Sequence, residues 1–176
     1  MSTQKKILLH SCCAPCASAS LERLLEADYE VTLFFSNSNI FPREEYEKRL
    51  ESMRDLAQSY HVTLHIDAWD HSSWLACVAG LENEPEKGKR CLKCFEFSFR
   101  RTQIMANNLK IFTFASTLSI SPHKPSKILF EIGSQFPGFL AMDFKKKNGF
   151  QRSLELTRTH SLYRQRYCGC EFTLRS

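Results

Sequence analysis

Cysteine is the residue type that stands out, and it comes in clusters. Seven of the eight cysteines fall in three tight groups: Cys12, Cys13 and Cys16; Cys91 and Cys94; Cys168 and Cys170. Groups this tight cannot all pair locally as disulfides, but their thiolates can converge on metal. Cys77, in "SSWLACVAG", sits on an apolar helical face and is expected to be a buried, inert thiol. One CxxC alone is shared by zinc knuckles, redox pairs and iron–sulfur sites. A thioredoxin-like dithiol at Cys13-Ala-Pro-Cys16 would leave the other paired cysteines unexplained. Cys91, Cys94, Cys168 and Cys170 would suffice for a closed structural zinc site, with Cys12, Cys13 and Cys16 left over. Adjacent side chains such as Cys12 and Cys13 diverge, so they serve two neighbouring centres more readily than one tetrahedral ion. Seven sulfurs suit one 4Fe–4S cluster plus one mononuclear iron. Spacing does not divide Cys12, Cys13, Cys16, Cys168 and Cys170 between the two.

The elements around these groups alternate in type. Ile7-Leu8-Leu9 reads as a short buried strand, and from Ala17 the leucines Leu21, Leu24 and Leu25 recur at helical spacing. The first cysteine group thus occupies a strand-to-helix turn, where α/β proteins often cradle phosphate. The helix N-terminus after Pro15 would favour thiolate there. "YEVTLFFSN" and "VTLHIDA" read as strands. Between them Tyr46, Leu50, Met53, Ala57 and Tyr60 form one helical stripe. A helix runs from about Ser72 to Gly80, and a long one follows whose start carries Cys91 and Cys94. "IFTFAS" and "FLAMDF" read as strands, with helices in "PHKPSKILFEIGSQF" and "NGFQRSLELTRTHSL". The expected fold is α/β, a mainly parallel sheet flanked by helices, in one domain over 1–176 with a Cys-x-Cys tail. In such a sheet the site lies beyond the carboxyl ends of the strands, where the first cysteine group and "ASTLSISPHKP" should arrive.

Composition narrows the setting. No apolar run approaches the ~20 residues of a membrane span. The N-terminus "MSTQKK" lacks a signal peptide's apolar stretch, so a cytoplasmic location is expected, with no membrane partner. Residues 1–86 hold 7 Lys and Arg against 14 Asp and Glu, a balance of −7, whereas residues 87–176 hold 17 against 5, or +12. That asymmetry points to a polyanion touching the second half.

Five blocks, "LHSCCAPC", "NSNIFPREEYEKR", "KRCLKCFEFSFRRT", "STLSISPHKP" and "DFKKKNGFQRSLELTRTHSLYRQRYCGCEF", resemble in order the QueH family of epoxyqueuosine reductases. The resemblance covers Leu9 to about Phe172. It implies a cobalamin-independent oxidoreductase of the last step of queuosine biosynthesis. The epoxide oxygen of epoxyqueuosine, at the wobble base of the tRNAs for Asp, Asn, His and Tyr, is removed with two electrons. It also implies a fold similar to the adenine nucleotide alpha hydrolase-like (HUP) class. There is no Gly-rich PP-loop here, which weighs against the alternative of an ATP-dependent tRNA modification enzyme; a zinc-binding RNA module is the other alternative. In part of the family an aspartate ligand stands where this chain has Cys16.

Epoxide removal needs electrons, protons and a holder for the departing oxygen. The seven clustered cysteines are the expected ligands, with a donor such as a ferredoxin or flavodoxin supplying electrons. Tyr167 beside "CGC" and His10 before "SCC" are the candidate proton donors. Lys145, Lys146, Lys147, Arg152, Arg158, Arg164 and Arg166 are the expected tRNA contacts. Arginine suits phosphate forks and unpaired bases.

Overall fold

The computed structural model describes residues 4–174. Four strands, β1 (Lys5–His10), β2 (Tyr29–Phe35), β3 (Thr63–Ile66) and β4 (Phe114–Ser116), form one sheet in the order β3-β2-β1-β4, every pairing parallel. Among the described residues there are six α-helices, α1 (Ala14–Glu26), α2 (Arg43–Ser59), α3 (His71–Cys77), α4 (Lys89–Asn108), α5 (Ser126–Gly133) and α6 (Gly149–Thr159), and two short 3-10 turns, Thr117–Ile120 and Glu171–Thr173.

Strand β1 has to be central because Ile7, Leu8 and Leu9 are all apolar, so neither face tolerates water. The two-residue period sorts them. Ile7 and Leu9 join a core with α1, α2 and α6, while Leu8 joins a second core with α4 and α5. Each such fully buried side chain contributes roughly 1.5–3 kcal/mol. The expected stripe of α2 is the face that packs: Tyr46, Leu50, Met53 and Ala57 are buried against the sheet.

Two expectations shift. Helix α1 starts at Ala14 rather than Ala17, because Cys13 is its N-cap and Pro15 fits the first turn. "FLAMDF" is not a strand. It makes a single parallel bridge, Phe139 to Phe114, and then turns on itself, Met142 N donating to Leu140 O (2.9 Å) instead of to β4. Beyond that rung Ser119 takes over the backbone groups, its Oγ donating to Met142 O (2.7 Å) and accepting from Phe144 N (3.1 Å).

Candidate functional site

The turn after β1 is held from three sides. Ser11 N donates to Phe34 O (2.9 Å), Asn37 Nδ2 to Ser11 O (2.9 Å), and Cys12 N to Thr117 Oγ1 (3.2 Å). Cys13 Sγ then accepts from Cys16 N, capping α1. Cys12, Cys13 and Cys16 have all three sulfurs within 4.8 Å of one another. Cys12 and Cys13 do not diverge: their sulfurs lie 3.8 Å apart. Two thiolates at ~2.3 Å from one tetrahedral ion would be about 3.8 Å apart, so this triad can hold a metal.

The protons in the triad are unevenly shared. Hydrogen bonds from Cys13 and Cys16 hold the Cys12 thiol well below its ordinary range. The same contact with Cys12 pushes Cys13 up to about 12 and Cys16 well above its ordinary value. Negative charge in the triad is therefore favoured at Cys12, through the neighbouring sulfurs first.

The other four cysteines come together through tertiary contacts. Cys91 and Cys94 stand in the first two turns of α4, where Cys91 Sγ accepts from Lys87 N (3.3 Å) and Cys94 Sγ from Trp74 Nε1 (3.4 Å). Burial raises both thiols. Cys168 and Cys170 lie on an irregular tail that Arg49 pins to α2. Its guanidinium donates to Cys168 O (2.8 Å), Tyr167 O (3.0 Å) and Glu45 Oε1 (2.8 Å). Gly169 between them has φ +149°, and a Cβ there would sit 3.1 Å from both Asn39 and Ile40. Cys91, Cys94, Cys168 and Cys170 line one cavity. His10, Cys12 and Cys16 line an adjoining one, and Cys94, Cys168 and Lys124 belong to both.

The comparisons decide which family built this arrangement. A family model described as "Epoxyqueuosine reductase QueH" matches residues 7–176. A relative of that name from Streptococcus pyogenes serotype M1 is 37% identical over 97% of this chain and 71% of its own. One from Acinetobacter baylyi is 36% identical over 97% and 81%, and one from Haemophilus influenzae 35% over 97% and 72%. The chain belongs to the QueH family.

In this QueH family member the two proton-donor candidates are differently placed. His10 lines the inner cavity, with Nδ1 2.9 Å from Ser116 Oγ and Nε2 3.2 Å from Ser36 O. Burial lowers its pKa, so the ring is neutral, its Nε2–H donating to the Ser36 carbonyl while Ser116 donates to Nδ1. Tyr167 is outside the residues lining either cavity; its hydroxyl donates to Phe41 O and its ring lies under Arg49.

The expected tRNA contacts divide as well. Lys145 turns inward, Nζ donating to Ser119 O (2.7 Å), Lys124 O (3.0 Å) and Ser126 Oγ (2.6 Å), and burial lowers its pKa. Arg152 forms a two-pronged pair with Glu22 (2.7 and 2.8 Å). Lys146, Lys147, Arg158, Arg164 and Arg166 are exposed, and among the described residues none of their side chains is in an ion pair. Arg164 and Arg166 flank Gln165, a residue of the inner cavity. Cys77 ends α3 half-buried rather than buried.

Several site residues escaped the sequence. Arg49 reads as one more charge on an acidic helix, yet it is 2% exposed. Gln165 Oε1 is buried without a hydrogen-bond partner, which costs about 1–3 kcal/mol unless something occupies the cavity. Lys124 carries charge between the cysteine groups: burial alone would lower its pKa, but Cys168, Cys12, Cys16 and Cys13 together raise it. Its only sequence signal was membership of "STLSISPHKP", a segment that follows β4.

Proposed function

We infer that the protein is an epoxyqueuosine reductase, acting at the wobble position of tRNA in the last step of queuosine biosynthesis. The observation that carries this reading is the meeting of three distant cysteine groups in two adjoining cavities with shared walls. The reaction breaks two C–O bonds, forms one C=C π bond, consumes two electrons and two protons, and releases the oxygen as water.

Cys91, Cys94, Cys168 and Cys170 are assigned to a 4Fe–4S cluster, and Cys12, Cys13 and Cys16 to a mononuclear iron. The compactness of the triad supports one ion there, and among the described residues no other group of three is as tight. The N–H donors on Cys91 and Cys94 support a cluster at the second set, since such bonds offset the negative charge on cluster sulfurs. When bound, the centres supply electrons one at a time and a Lewis acid.

The chain's own residues do the rest. Thr117 orients Cys12 through its hydroxyl (3.4 Å to Sγ), and Arg49 orients the Cys168 end of the tail. Phe95 and Leu118 give the inner cavity apolar walls against water. Of the two proton-donor candidates only His10 lines the inner cavity, but as a neutral ring with both nitrogens held by Ser116 and Ser36 it has no free proton, so neither is assigned as the donor. Strand order reverses between β1 and β4, and α/β sheets leave a ligand crevice at the carboxyl edge of such a reversal. Cys12 follows β1 and Thr117 follows β4, which supports metal at that edge and a HUP-like origin, with sulfur where phosphate would bind. The reading takes 1–176 as one cytoplasmic catalytic domain. Its substrates are the tRNAs for Asp, Asn, His and Tyr, and its reductant a ferredoxin or flavodoxin. Lys146, Lys147, Arg158, Arg164 and Arg166 supply the backbone contacts, and Lys145 and Arg152 shape that surface.

Anaerobic purification tests the whole reading. The expected protein is brown, with about five irons and four sulfides per chain. It converts epoxyqueuosine to queuosine in tRNA, and Cys94→Ala loses both colour and conversion. Zinc alone at one per chain, with no conversion, would refute it.

A further inference from the structure

The two cavities share one positively charged side chain, and among the described residues no hydrogen bond or ion pair engages it. Lys124 leads into α5 from the loop after β4, and it lines the four-cysteine cavity and the triad cavity alike. Its backbone is fixed at both ends of the residue: Lys124 N donates to Ser121 O (3.2 Å), and its carbonyl accepts from Lys145 Nζ (3.0 Å). Among the described residues its own Nζ is in no ion pair, and the side-chain hydrogen bond that reaches Lys124 goes to its carbonyl instead. The residue is half-buried, so its ammonium keeps contact with water while no protein acceptor claims it. Cys12, Cys16 and Cys168 line the same cavity, and their sulfurs offer it no oxygen acceptor. Among the described residues, the one buried side-chain polar atom of this cavity without a hydrogen-bond partner is Gln165 Oε1, an acceptor. The pocket therefore offers one donor and one acceptor that no protein group uses among the described residues.

We propose that Lys124 is a catalytic residue that hydrogen-bonds the epoxide oxygen through Nζ, facing the charge that develops as the C–O bonds break. This inference rests on the epoxyqueuosine reductase reading. As each C–O bond breaks, the oxygen gains electron density, and a cation fixed beforehand in a shielded pocket stabilises that state more than the ground state. The two electrons come from the one-electron protein donor acting twice, and the oxygen leaves as water after taking two protons. After reduction the product ring has no oxygen at that position, so this hydrogen bond forms with substrate and not with product. Gln165 Oε1 is left to accept from a hydroxyl of the same ring.

The test uses the anaerobically loaded full-length protein and two variants, Lys124→Met, which keeps the chain's length without its charge, and Lys124→Arg. Lys124→Met should match wild type in iron, sulfide and binding of queuosine-tRNA. It should lose the roughly tenfold tighter binding of epoxyqueuosine-tRNA that a charged hydrogen bond provides. Its kcat should fall about 100-fold or more. Lys124→Arg should recover part of both. Loss of iron from Lys124→Met would make the residue a counter-charge for the metal ligands and overturn the proposal. So would full turnover and unchanged discrimination between the two tRNAs. A wild-type protein that neither holds iron nor converts the tRNA would instead overturn the functional reading beneath it.

Discussion

Replacing Arg49 by Met should detach the Cys168–Cys170 tail and with it the proposed cluster, though the hydrogen bonds of Arg49 go to the Glu45 carboxylate and to backbone carbonyls. The residue is buried, and it donates three hydrogen bonds, one to the Glu45 carboxylate and two to carbonyls of the tail. The substitution leaves Glu45, itself 8% exposed, with Tyr163 Oη (2.8 Å) as its remaining polar partner. Breaking a buried pair from one side costs about 3–5 kcal/mol, a large share of a typical 5–15 kcal/mol stability. A second change separates the two consequences. Glu45→Gln with Arg49→Met removes the orphaned charge, so most of that stability should return. The two hydrogen bonds to the tail carbonyls stay broken, so the cluster should not. Urea denaturation of the metal-free proteins reads the stability, and iron and sulfide after anaerobic loading read the cluster. A single mutant within about 1 kcal/mol of wild type would refute the electrostatic reasoning. A double mutant with full cluster occupancy would refute the clamp.

Trp74→Phe removes the N–H···S bond to Cys94 while keeping an aromatic ring. It should lower the cluster's reduction potential by about 40 mV, the one-electron equivalent of ~1 kcal/mol, in a spectroscopic titration. Metal uptake by the triad should steepen with pH. Cys13, pushed up to about 12, and Cys16, raised well above its ordinary value, are protonated at neutral pH, while the same contacts lower Cys12. Binding must then expel two protons, so the association constant should rise by about two log units per pH unit, which a competitive chelator measures. Replacing Lys146, Lys147, Arg164 and Arg166 together by Ala should flatten the salt dependence of tRNA binding by roughly 0.7–0.9 for each phosphate no longer neutralised. Lys145→Ala should act mainly on stability, because its Nζ is already committed to Ser119, Lys124 and Ser126.

What the sequence determined was whatever rests on neighbours in the chain. Ile7-Leu8-Leu9 had to be a doubly covered strand, because three consecutive apolar side chains cannot alternate with water. Cys91 and Cys94 had to share a helical face, and the five ordered blocks pointed to the QueH family before any coordinates. Tertiary structure decided whatever rests on partners far away. Nothing within "FLAMDF" reveals that it turns on itself after one rung beside β4, so a strand-like pattern becomes a single bridge. The sorting of sulfurs into a tight triad and a wider set depends on where the tail lies. That is set by Arg49, more than a hundred residues earlier. Lys124 shows the same limit, since an isolated lysine in a loop carries no local pattern. It acquires meaning only when the ends of β1 and β4, the start of α4 and the tail enclose it, for burial is a property of the assembled fold.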